Sequence, residues 1–348
     1  MPDLVVVTNE EVWPTVNGGR VRIAGLVDAL RGRFDVDLVE PRTTKRSLTQ
    51  TIDPRPRRGT SVVDPAAVTA ATRDAGAVLY THSYLEPVAP RLTIPVIVDF
   101  PNLEVDRQRS FARTGPAAKR VSSAIEALKA RRWEPGTARR AAIAVAVTEA
   151  DAAVLRRWGA RRVVLVPNAS DVTPAGPSPA DGPVTFLGSA TYAPNAEAID
   201  RVLRDVWPLV RREAPTARLA IAGRGTAERF RSDPAAGVEV LGEVDDPAAV
   251  LAAASLFLAP VERGAGTQLK VVEAVAAGRV VVATPYSAQS APGCVVTETA
   301  AGMAAAVVEL LTDVEARHRR EAAQHGTIPT WADAVAPLAD AIAEELHR

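Results

Sequence analysis

Short apolar runs alternate with longer amphipathic stretches along the whole chain, and no other feature limits its fold so sharply. Leu4–Val7, Val36–Val39, Ala77–Thr81, Ile94–Asp99, Ile143–Val147 and Val163–Val166 have the length and composition of buried strands. The stretches between most of them, such as Arg20–Leu30, have helical periodicity. Strand–helix alternation of this kind predicts an α/β fold, a parallel sheet covered by helices on both faces. The pattern stops at Ala169–Pro183, where Pro, Gly, Ser and Asp disfavour both helix and strand, as in an interdomain linker. It then restarts with Val184–Leu187, a helix over Glu197–Arg212, and runs at Arg218–Ala222, Val238–Leu241, Ala254–Leu258 and Val280–Ala283. At 348 residues the chain exceeds the ~250–300 at which one core stops growing, so two doubly wound, Rossmann-like domains facing a cleft are expected. Residues 41–60, rich in Arg, Pro and Thr, are predicted to be loop.

Charge and cysteine content remove several function classes. Forty-one basic residues balance forty-one acidic ones, so no global field draws the chain to nucleic acid. The single cysteine, Cys294, excludes an intrachain disulfide framework, and the four scattered histidines do not suggest a zinc centre. No glycine fingerprint for nicotinamide or flavin follows the first strand. Asp35-Val36-Asp37 spells an Asp-x-Asp metal signature, yet lies at the second predicted strand and is read as structural. No apolar run approaches the ~18–20 residues that span a bilayer, and the start of the chain does not resemble a signal peptide. A cytoplasmic protein is expected, with peripheral contact at the inner membrane face left open. Bearing on that contact, Arg107–Arg140 holds ten basic and two acidic residues, with Val121, Ile125 and Leu128 at helical spacing. A helix packed on its own domain with a solvated basic face is the favoured reading.

Pro260–Val282 carries the most chemistry. It reads as strand, glycine-containing loop, amphipathic helix, glycine stop and strand. Gly264 and Gly266 let a ligand approach the backbone, and Thr267 is placed to cap the helix. Free N–H groups and the positive dipole end at a helix start favour a phosphate, and Lys270, about one turn in, adds a full charge. Glu273, three residues on, is suited to accept hydrogen bonds from ribose hydroxyls. The plain alternative is a solvated surface pair.

These residues bring a family into view. GAGTQLKVVEAVAAG resembles the donor-binding signature of GT-B fold retaining glycosyltransferases of the family 4 type, the glycosyl transferases group 1. FLGSATYAPNAEAIDRVLRDVWPLV, LAIAGRGT, VEVLGEVDD and LAAASLFLAPVERGAGT are similar to the other elements of that donor domain, in the expected order. PTVNGGRVR, VIVDFPNLEVDR and VAVTEADAAVLRRWGARRVVLVPNASDV resemble the acceptor domain, and TWADAVAPLADAIAEEL the last helix. The resemblance implies an acceptor-binding domain over 1–168, a linker over 169–183, a nucleotide-sugar domain over 184–327, and a C-terminal helix over 328–348 that crosses back to the first domain. It implies metal-independent transfer of a sugar, with retention, from a nucleoside diphosphate sugar to a glycan, lipid or small-molecule hydroxyl. A UDP-sugar is the first expectation, GDP- or dTDP-sugars the next, and no cofactor is required. Lys270 and His82 take the catalytic roles. Gly18, Gly19, Arg20, Gly188, Gly264, Ala265, Gly266, Thr267, Lys270 and Glu273 bind the donor.

The chain also departs from the pattern. Ala265 stands where many relatives have a second glutamate, Glu262 and Gln268 where close ones have arginines, and Ala169 replaces a turn glycine. Two other functions share the architecture: a nucleotide-sugar epimerase, and a non-catalytic partner subunit.

Overall fold

The computed structural model describes residues 2–15, 17–41, 53–114, 117–264 and 266–348, and the chain divides into two compact units. The first comprises Met1–Asn168 with Trp331–Arg348, the second Ala169–Thr330.

The first unit is built on a parallel sheet ordered β2-β1-β3-β4-β5-β6: β1 (Leu4–Val7), β2 (Val36–Val39), β3 (Ala77–Tyr80), β4 (Val96–Phe100), β5 (Ile143–Ala146) and β6 (Val163–Leu165). β1, β3 and β5 are fully buried runs of Val, Leu, Ile, Ala and Tyr, as a sheet covered on both faces requires. Val7, Tyr80 and Val98 lie in register, so the loops after β1, β3 and β4 leave the sheet side by side. The helices in chain order are α1 (Gly18–Arg31), α2 (Arg57–Thr60), α3 (Pro65–Ala71), α4 (Glu104–Thr114), α5 (Ala117–Arg140) and α6 (Glu149–Arg157). Part of the expected loop at 41–60 is therefore helical. Its local composition hides the cause: the Arg57 N–H donates to Glu126 of α5 at 3.2 Å, and Gly59, lacking a Cβ, lets the Tyr84 carbonyl press against it. The rest of that prediction, residues 42–52, lies outside the described residues.

The second unit is also a six-stranded parallel sheet, but its order, β12-β11-β10-β7-β8-β9, differs: its first strand pairs with its second and fourth, where β1 pairs with β2 and β3. Its strands are β7 (Val184–Leu187), β8 (Leu219–Ala222), β9 (Val238–Gly242), β10 (Leu256–Ala259), β11 (Val281–Ala283) and β12 (Val295–Val296). Its helices are α7 (Ala193–Arg201), α8 (Trp207–Glu213), α9 (Thr226–Arg229), α10 (Pro247–Ala253), α11 (Leu269–Ala276), α12 (Pro285–Ala288), α13 (Ala300–Thr312) and α14 (Val314–Gln324). The single helix expected over 197–212 instead starts at Ala193 and passes through a π-helical stretch, Val202–Val206, before α8. Its core face, Ile199, Val202, Val206 and Val210, still reaches Phe186, Ile221 and Leu258.

Residues 169–183 form neither helix nor strand, as their composition predicts, yet they are clamped within the second unit. Buried Arg317 donates to Ser178 Oγ and the Pro179 carbonyl, Arg279 donates to the Gly176 carbonyl, and Glu321 accepts from the Ser178 N–H. The chain ends with α15 (Trp331–Leu346), which packs on α1 of the first unit. Gly25 makes this possible, because a Cβ there would fall inside the Trp331 ring.

Candidate functional site

In the second unit, the ends of β7 and β10 and the start of α11 bring together most of the residues expected to bind donor. Lys270 Nζ donates to Asn195 Oδ1 at 2.6 Å and lies 4.4 Å over the Phe186 ring. A Cβ on Gly188 would stand 3.1 Å from that Nζ and 3.0 Å from Asn195 Nδ2, so only glycine leaves this corner open. Gly223, at φ +131°, in turn packs on the Gly188 backbone. Burial pulls the Lys270 ammonium down to about 7 and pushes the Glu273 carboxyl up to about 7. A Cβ on Gly264 would meet Tyr286 Oη at 2.7 Å and Tyr192 Oη at 3.2 Å, and Tyr286 donates to the Gly266 carbonyl. Ala265 lies outside the described residues.

Two expectations need correction here. Thr267 does not cap α11: the N-cap is Gln268, whose side chain makes no capping bond, and Lys270 is the second helical residue rather than one turn in. The helix start is set from a distance, since the Gln268 N–H donates to Ser290 Oγ and its side-chain amide to Ser287 Oγ. Nor are Lys270 and Glu273 a solvated surface pair, because Lys270 turns to Asn195 of α7. The neighbouring charges are committed to surface ion pairs: Glu262 with Arg201, Arg263 with Glu197, and Arg224 loosely with Glu243 at 3.9 Å.

In the first unit, Asn17 caps α1 through the Arg20 N–H, which places Gly18 and Gly19 in the first helical turn. The Arg20 side chain is held by Glu10 at 3.2 Å and by the Pro14 carbonyl at 3.1 Å. His82 follows β3 with its ring centroid 4.9 Å from that of Tyr84. Desolvation, then Arg58, Arg107 and Arg22, keep the imidazole well below its ordinary value, so it is neutral at pH 7. His82 Nδ1, Tyr84 Oη, Asn9 Oδ1 and Asn102 Oδ1 are buried without a hydrogen-bond partner among the described residues. These residues lie just past or near the ends of adjacent strands, where their polar atoms are open to water or a polar ligand. Glu134 of α5, fully buried, accepts from Ser83 Oγ at 3.1 Å and from the Glu104 and Val105 N–H groups at 2.7 and 2.9 Å. It fixes the loop carrying His82 to the start of α4, and desolvation pushes its carboxyl up to about 8. Asp35 and Asp37 sit at the edge strand β2, where Asp37 accepts the Leu38 N–H.

α5 packs on its own unit with exposed basic residues, as expected, but its apolar stripe does not make the contact. Ala127, Ala130 and Ala138 face inward with Glu134, whereas Val121 and Leu128 are 66% and 63% exposed, and Ile125 is exposed beside them. Arg120, Arg131 and Arg132 are exposed on the same helix.

Comparison with known proteins agrees with this geometry. Residues 183–313 match the model of the family described as Glycosyl transferases group 1. That match lies within the second unit. The phosphatidyl-myo-inositol mannosyltransferase of Mycobacterium tuberculosis H37Rv is 34% identical over 149 residues, covering 38% of this chain and 39% of that protein. That of Mycolicibacterium smegmatis is 31% identical over 185 residues, 47% of each. The chain thus matches less than half the length of these relatives. Among solved structures, sucrose-phosphate synthase from Thermosynechococcus elongatus superposes with a TM-score of 0.65 at 13% identity, covering 98% of both chains. Anabaena HepE in complex with UDP gives 0.65 at 12%, covering 98% of this chain and 100% of that one. The fold is therefore that of the GT-B glycosyltransferases.

Asn195, Tyr192, Tyr286 and Glu134 escaped the reading of the sequence. Only Asn195 left a trace: an asparagine in the first turn of a helix, past the cap position, is a poor helix former without a second task.

Proposed function

We propose that the chain is a retaining, metal-independent glycosyltransferase that moves a sugar from a nucleoside diphosphate sugar, UDP-sugar first, to an acceptor hydroxyl. The observation carrying this reading is the Lys270 ammonium beside Gly188 at the start of α11, with Glu273 one turn on. Lys270 and the N–H groups of that helix start would meet the diphosphate, and Glu273 the ribose. In the transfer step the acceptor oxygen bonds to the anomeric carbon on the face from which the diphosphate leaves. The bond from that carbon to the phosphate oxygen breaks, and the acceptor proton passes to the departing phosphate. Positive charge supplied by Lys270 and the helix start makes a metal unnecessary. The acceptor is assigned to the strand ends of the first unit, where His82, Asn9 and Asn102 offer unpartnered polar atoms. Incubation with UDP-, GDP- and dTDP-sugars, with and without EDTA and with candidate acceptors, tests the assignment. Transfer that persists in EDTA is expected. A requirement for Mg²⁺ or Mn²⁺ overturns the metal-free step, conversion of donor without acceptor favours an epimerase, and no nucleotide binding favours a partner subunit.

The outer face of α5 favours a lipid-borne acceptor at an anionic membrane surface, the acceptor class that the mannosyltransferases' names carry. Among the described residues no helix is long and apolar enough to cross a membrane, so contact would be interfacial. Val121, Ile125 and Leu128 would each gain about 1.5–3 kcal/mol on full burial, and each arginine adds about 1 kcal/mol near anionic lipid. Sedimentation with phosphatidylglycerol vesicles should carry the protein down, and Leu128→Glu should abolish this. Equal binding to phosphatidylcholine vesicles, or none to either, would remove the membrane from the picture.

A further inference from the structure

Lys270 is held by an amide where a carboxylate would be the ordinary partner. Asn195 accepts from Nζ at 2.6 Å, and its own amide nitrogen donates to the Ser189 carbonyl at 2.9 Å. The two bonds fix which way the carboxamide faces, so its oxygen, not its nitrogen, meets the ammonium. The remaining walls add no compensating charge. β7 supplies Phe186 and Gly188, and on α7 Glu197 and Arg201 are paired with Arg263 and Glu262 of the loop after β10. Arg224 and Glu243, after β8 and β9, face each other, and Tyr192 and Tyr286 converge on Gly264. On α11 itself Glu273 makes no ion pair with Lys270 among the described residues.

We propose that Asn195 is a positioning residue that aims Lys270 at the Gly188 corner without cancelling its charge, so that nucleoside diphosphate binding is coupled to uptake of a proton by Lys270. This rests on the donor reading given above. A carboxylate at position 195 would keep the ammonium permanently charged and compete with the phosphates for it. The amide does neither. The lysine, held near 7 by burial, is mostly neutral in the empty pocket at pH 8 and becomes fully charged when the diphosphate arrives. Affinity then falls as pH rises above 7, in step with the loss of that proton.

Titration calorimetry with UDP at pH 8, in buffers of different ionisation enthalpy, reads the proton number directly. The free terminal phosphate is itself almost fully ionised there. Uptake of about 0.9 proton per UDP is expected, the neutral fraction of a group titrating near 7. Asn195→Asp should bring uptake to near zero and weaken UDP by at least ~10-fold, because its carboxylate repels the phosphates. Asn195→Leu should retain uptake but bind UDP more weakly, since the ammonium is no longer aimed. UDP binding without proton uptake, or an Asn195→Asp protein that still takes up the proton, overturns this inference and leaves the donor reading intact. Failure of UDP, GDP and dTDP to bind the folded protein overturns both.

Discussion

His82 and Lys270 stand near the carboxyl ends of two parallel sheets of different strand order, and both are half-buried basic groups without a carboxylate partner among the described residues. Lys270 has an amide to hold it and an aromatic face beneath it, so its position is set before any ligand arrives. His82 Nδ1 has no hydrogen-bond partner among the described residues, and the same holds for Asn9 Oδ1, Tyr84 Oη and Asn102 Oδ1. Leaving a buried polar atom unpaired costs about 1–3 kcal/mol, so several in one region favour a polar group or water arriving there. In the reading proposed above, the Lys270 corner offers one charge in one place to a donor, and the first unit offers polar atoms to an acceptor that brings its own hydrogen bonds.

The largest expected effect breaks the finished half. Lys270→Ala should lower sugar transfer by about 10²–10³-fold, the scale of losing one charge-stabilising donor. Single-turnover rates with saturating donor would show it. A folded variant of unchanged rate would remove Lys270 from the chemistry and leave the two strand ends equivalent.

Next comes the support of the unfinished half. Glu134→Ala strips the acceptor from Ser83 Oγ and two N–H groups at once and should cost about 2–3 kcal/mol. Chemical denaturation of the intact chain measures it. Because the folded carboxyl titrates near 8 and the unfolded one near 4.5, folded Glu134 keeps its proton between those values. Its contribution is complete below 4.5 and is lost as pH rises through 8. Glu134→Gln should remove that slope but, because each carboxyl oxygen accepts a backbone N–H, its NH2 meets one of those donors and part of the stability is lost. A slope of unchanged size in that variant would mean that another group titrates.

A purely structural contact is expected to matter less. Gly25→Ala gains about 1 kcal/mol of helix propensity but drives a methyl into Trp331, an overpacking cost of about 1–3 kcal/mol. A net loss of about 1 kcal/mol in the first unit should appear as a lower Tm, with donor affinity untouched. A raised Tm would show that α15 can move off α1.

How much of this was legible depends on whether the cause of a feature lies near it in sequence. The strands were, because a buried parallel strand advertises itself in four or five residues, as Leu4–Val7 and Val184–Leu187 do. The helix carrying Lys270 and Glu273 was, because motif and helix lie in one segment. The start of α11 was not, since Ser287 and Ser290 set it from some twenty residues downstream. Nor was the seat of Lys270, which depends on Asn195 seventy-five residues earlier. Helical spacing found the stripe Val121, Ile125 and Leu128 but carries no information about which side it faces. Three alanines and Glu134 on the opposite face took the core instead.

The smallest expected effect tests whether the loop charges belong with Lys270 or with the surface. Arg263 lies three residues before Gly266, in the segment that carries the family resemblance, and position alone argues for donor contact. In the structure its guanidinium is spent on Glu197 of α7, and both side chains are more than 40% exposed. An ion pair so wet is worth about 0–1 kcal/mol, since water already solvates both charges. Arg263→Ala should therefore weaken UDP by less than about 5-fold and leave proton uptake at pH 8 unchanged. A loss as large as that of Lys270→Ala would mean that Arg263 releases Glu197 when nucleotide binds. The second unit would then be no more finished before its ligand arrives than the first.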